Sequence, residues 1–60
     1  PPATKEAIRM EIFSLDARHR GEPLDGARLE LRAPGLHPER HRLLRAVIEH
    51  LTRKAASADA

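Results

Sequence analysis

From Pro38 to Ala56 the aliphatic residues are Leu43, Leu44, Val47, Ile48 and Leu51. The spacing i, i+1, i+4, i+5, i+8 draws one stripe about 100° wide on a helix of 3.6 residues per turn. Arg42, Arg45, Glu49 and Arg53 fall on the opposite side, with Arg45–Glu49 and Glu49–Arg53 as i,i+4 neighbours of opposite charge. Pro38 suits the first helical position, and Glu39 early with Arg53 and Lys54 late complement the helix dipole. The pattern predicts one long helix over Pro38–Ala56.

Two shorter runs alternate. Ile8, Met10 and Ile12 point one way and Arg9 and Glu11 the other, a period of two that predicts a strand, with Phe13 and Leu15 out of phase across a bulge or a doubly covered segment. Arg28–Ala33 alternates again, with Leu29, Leu31 and Ala33 on one face, and Pro34-Gly35 ends it. Between the two runs, Asp16–Gly26 carries two glycines, a proline and an Asp25-Gly26 turn signal. A connection of that length returns along a strand, so the second strand is expected parallel to the first. The expected fold is α/β: a β–loop–β–α unit of two parallel strands and one long helix, as a single domain over residues 1–60.

Composition adds constraints. A chain of 60 residues buries only about 60% of its unfolded surface and is marginal alone. No cysteine is present to staple it or to hold zinc, and one phenylalanine is its only aromatic core anchor. Oligomerisation is therefore expected to complete the core. No run of about 18 apolar residues exists to span a membrane, and no signal-peptide pattern opens the chain, which reads as cytoplasmic. Eleven basic residues, nine of them arginine, stand against nine acidic ones. Arginine binds carboxylate or phosphate with a two-pronged fork, but here the arginines are dispersed, so nucleic-acid binding is expected to be weak and salt-sensitive.

Candidate chemistry is sparse. His37 and His41 are i,i+4 without a third ligand and read as surface histidines. No glycine-rich phosphate loop, nucleophile triad or aromatic nucleic-acid platform is visible, and no cofactor is indicated. Pro1 stands out. As the N-terminus it carries a secondary amine, a group that titrates near ~8 and lower beside cations, which suits a general base near neutral pH.

Two segments carry a family resemblance. Arg28–Lys54, RLELRAPGLHPERHRLLRAVIEHLTRK, resembles the first strand, glycine turn and long helix of the tautomerase superfamily, the group around 4-oxalocrotonate tautomerase. Ala7–Leu15, AIRMEIFSL, looks like that family's second strand, and Arg9 falls on its substrate-binding arginine. The halves occur in reversed order, as in a circular permutation of a β-α-β unit. Gly26 stands where the family has its catalytic proline, Leu36 where it has an arginine, and the hairpin aromatic is replaced near Arg20. The resemblance implies a tautomerase-like enzyme in a trimer or hexamer of units. Pro1 would move a proton on a small 2-hydroxy-dienoate or enol/keto acid, Arg9 would hold the carboxylate, and Arg18 or Arg20 would polarise the reacting oxygen. The competing class is a non-enzymatic, arginine-rich oligomeric module that binds nucleic acid or a protein partner.

Overall fold

The computed structural model describes residues 3–59, and they form three α-helices: α1 Lys5–Arg18, α2 Pro23–Leu31 and α3 Pro38–Asp59. Among the described residues there is no strand. The expected α/β unit with two parallel strands is therefore corrected to a three-helix bundle in which each helix packs on both others. The physical reason lies in the backbone. Two short strands paired only with each other leave both edges and one face unsatisfied, whereas a helix closes its hydrogen bonds within its own segment.

Local signals support each helix. The Thr4 side chain accepts a hydrogen bond from the Ala7 N–H at 3.0 Å and so caps α1, and Glu6 sits in its first turn. The helix stops where Arg20 and Gly21 take positive φ of 53° and 82°, and the Gly21 N–H returns to the Asp16 carbonyl at 2.8 Å. α2 opens on Pro23, whose fixed φ suits a first helical position. α3 opens on Pro38, preceded by His37, whose Nδ1 accepts from the Glu39 N–H at 3.1 Å. The helix predicted over Pro38–Ala56 runs on to Asp59, so Arg53 and Lys54 lie before its last turn. Glu49 and Arg53 pair across its outer face at 3.0 Å.

The two alternating runs resolve differently in helical register. Ile8, Ile12 and Leu15 stand at i, i+4, i+7 and turn inward together, while Met10 and Phe13 are left outside. Leu29 and Leu31 are about 200° apart on a helix, so Leu31 packs on the core and Leu29 is exposed. Gly26, read from sequence as part of a turn, is buried inside α2. A Cβ there would overlap the His19 ring, so the glycine lets α1 and α2 approach at that point.

The core is thin. Leu15, Ala27, Leu44 and Val47 are fully buried, and Ile8, Ile12, Leu31, Leu36, Ile48 and Leu51 pack around them half-buried. The α3 stripe is thus covered from within the chain, by α1 and α2. Leu44→Ala removes one of the three large side chains at the centre and is expected to cost about 2–5 kcal/mol. That is most of what a domain of this size has. Circular dichroism melting should show loss of the cooperative transition, and an unchanged Tm would place Leu44 outside the core.

Candidate functional site

Two carboxylates and two guanidiniums meet where the three helices converge. Glu11 comes from α1, Glu30 from α2, Arg18 from the end of α1 and Arg40 from the first turn of α3. Arg40 holds Glu11 bidentately, its two terminal nitrogens at 2.6 and 2.7 Å from the two carboxylate oxygens, and donates to Glu30 Oε1 at 2.9 Å. Arg18 donates to both oxygens of Glu30 at 3.1 Å and to Glu11 Oε2 at 3.0 Å. The His19 Nε2 lies 2.6 Å from Glu30 Oε2. Glu11 is the most enclosed member, with its side chain 11% exposed.

The ionisation of the set follows from these contacts. The Arg40 hydrogen bond draws the Glu11 carboxyl below its usual value against the opposing effect of burial, and Arg18 adds to the lowering. Burial pushes Glu30 up, but hydrogen bonds from Arg18, His19 and Arg40 outweigh it and hold the carboxyl down at about 2. Arg40 is raised, first by its bond to Glu11, and Arg18 is raised, first by its bond to Glu30. Both carboxylates are therefore charged at neutral pH and matched by the two arginines. This arrangement clamps the helices together, and its polar groups are occupied with one another.

Of the residues singled out from sequence, Arg18 and Arg20 border one shallow depression, and Arg9 stands apart from both on the α1–α3 side. Pro1 lies outside the described residues. Arg9 is exposed on the middle of α1, about 13 Å along the helix axis from Arg18 at 1.5 Å per residue. Arg18 is engaged by Glu11 and Glu30. Arg20 lies in the left-handed turn after α1, beside a shallow depression that Arg18, His19, Glu22 and Asp25 also line. Gly26 and Leu36, the two departures from the tautomerase pattern, occupy the α2 interior and the core margin. The segment compared with that family's second strand is helix α1, and the one compared with its first strand lies mostly in α2.

A second feature is apolar. Phe13 is 78% exposed and Met10 67% exposed, one turn apart on the outer side of α1, and Leu29 on α2 is 59% exposed. Phe13 forms one wall of an open groove between α1 and α3, whose floor includes Ile12 and Leu51 and whose rim carries Arg9, Asp16, His50 and Lys54. The groove continues toward the start of α1, where Lys5 and Ile8 face Glu49, Arg53 and Lys54. Sequence reasoning missed both the Glu11–Glu30–Arg40 set and this groove. The available signal was the i,i+7 spacing of Glu11 and Arg18, which means nothing until the segment is assigned as a helix. No family model, curated protein or solved structure matches the chain. No helix among the described residues is long and apolar enough to cross a membrane.

The clamp makes stability depend on pH. Because the folded pKa of Glu30 is depressed to about 2 from an ordinary carboxyl value of 4.5, its contribution is complete above the unfolded value and is lost as pH falls between the two. Glu30→Gln is expected to lower stability at pH 7 by about 1–3 kcal/mol. The difference from the native chain should shrink as pH falls from 4.5 toward 2 and vanish only below about 2, where the native Glu30 is protonated as well. Urea titrations at pH 7, 4 and 2.5 read this directly, and a pH-independent difference would show that the carboxylate charge is immaterial.

Proposed function

We propose that this chain is a small helical module that binds a protein partner through the face bearing Met10 and Phe13. The observation that carries the reading is the placement of the chain's single aromatic residue. Phe13 stands 78% exposed at the edge of an apolar groove while smaller side chains fill the core. Large apolar side chains grouped beside a concave apolar floor are the usual anchors of a peptide or helix. In a chain with so few large side chains, Phe13 is the one whose burial has most to contribute, and the fold leaves that burial to a partner.

Proton transfer by Pro1 on a small keto or enol acid has less behind it. Arg9 stands away from the depression that Arg18 and Arg20 border, and Arg18 is already engaged by two carboxylates. Ketonisation of 2-hydroxy-dienoates, followed by ultraviolet absorbance, is expected to proceed at the uncatalysed rate. A rate enhancement that depends on both Pro1 and Arg9 would displace the binding reading.

The binding reading is tested with labelled helical peptides of about 14 residues carrying leucines at i, i+3, i+7 and i+10 and glutamine elsewhere, followed by fluorescence anisotropy. Phe13→Ala is expected to weaken binding about 5- to 30-fold and to leave the melting curve nearly unchanged, because the ring is exposed. Binding indifferent to both Phe13→Ala and Met10→Ala, or no binding up to millimolar concentration, would overturn it.

A further inference from the structure

The charges around the groove say what kind of partner fits, an inference that rests on the binding role proposed above. Four cations, Lys5, Arg9, Arg53 and Lys54, line it against two carboxylates, Asp16 and Glu49, and Glu49 is taken up by Arg53 at 3.0 Å. Among the described residues, Lys5, Arg9 and Lys54 make no ion pair. The contrast with the clamp is direct: there, arginines and carboxylates neutralise each other between the helices, whereas here the cations flank an apolar floor of Ile8, Ile12 and Leu51 and face outward.

We infer that the α1–α3 groove receives an acidic amphipathic helix, with an apolar ridge seated against Phe13, Ile12 and Leu51 and carboxylates on both flanks reaching Arg9 on one rim and Lys54 on the other. The α1 residues that line the groove run from Lys5 to Asp16, about 16 Å at 1.5 Å per residue, so the groove accommodates about three turns of a partner helix. A ridge at i, i+3 or i+4, and i+7 meets the floor over that length. Arg9 grips a carboxylate with two parallel hydrogen bonds, and Lys54 acts as a point charge. A second copy of this chain is a poorer occupant, because it would bring the same cationic rim against this one.

The test compares three peptides with the same leucine ridge, flanked by glutamate, glutamine or lysine, binding to the full 60-residue chain. Affinity is expected to fall in the order Glu, Gln, Lys. The Glu-to-Lys ratio should be at least about 10-fold at low salt and should narrow at about 0.5 M salt, where the Debye length is only a few ångströms. The double variant Arg9→Glu, Lys54→Glu, both positions being exposed, should invert the order while keeping the native circular dichroism spectrum. Equal affinity for all three peptides overturns the acidic partner and leaves the binding role intact, whereas no binding by any of them overturns both. Tighter binding to phosphatidylserine vesicles than to the Glu peptide would assign the groove to a membrane and overturn the inference. So would a dimer by sedimentation that Phe13→Ser dissolves and that excludes the Glu peptide.

Discussion

Glu30 is the residue on which the arrangement of the helices depends. It lies on α2, yet Arg18 and His19 reach it from the end of α1 and Arg40 reaches it from the start of α3. Glu11 repeats the pattern from α1, tied to the same two arginines. Each guanidinium thus bridges two carboxylates, and the positions of three helix segments become one geometric problem with few solutions. Such a set costs desolvation, and its net contribution to stability is modest when deeply buried. Here the arginines keep part of their surface in water, with side chains 44% and 31% exposed, so the cost is reduced while the geometry is retained.

That device matters because the apolar core alone is small. Four fully buried residues, one of them an alanine, leave little margin to select one packing of three helices over another. Aliphatic contacts are non-directional, whereas bidentate arginine–carboxylate pairs require particular distances and orientations. Gly26 adds a steric condition at the same corner, since the His19 ring occupies the space a side chain at that position would take. The polar clamp, the glycine and the left-handed turn at Arg20 and Gly21 together set the angle between α1 and α2.

The same economy shapes the outer surface. With the clamp holding the end of α1 against α2 and the start of α3, the remaining length of α1 and the later turns of α3 border an open groove. Four of the cations outside the clamp, Lys5, Arg9, Arg53 and Lys54, line it, and Phe13 stands at its edge. The clamp and the groove rim use different side chains, so a change at the rim leaves the clamp intact.

Helix α3 was legible from sequence, because five aliphatic positions over several turns determine a period of 3.6 without help from elsewhere. The N-terminal third was not. Ile8, Met10 and Ile12 satisfy a period of two, while Ile8, Ile12 and Leu15 satisfy a helical one, and so short a run supports both. Tertiary structure decided between them: among the described residues there is no sheet to cover a strand's face and edges, whereas a helix there sets Ile8, Ile12 and Leu15 on the α3 stripe. Leu29 and Leu31 were decided in the same way. The candidate site depended still more on tertiary contacts. Dispersed arginines look alike along a sequence, and only folding brought Arg18 and Arg40 to Glu11 and Glu30 while leaving Arg9 unpaired on the groove. Composition determined that the chain has few large apolar side chains, but which of them would be left outside was settled by the angles at which three short helices pack.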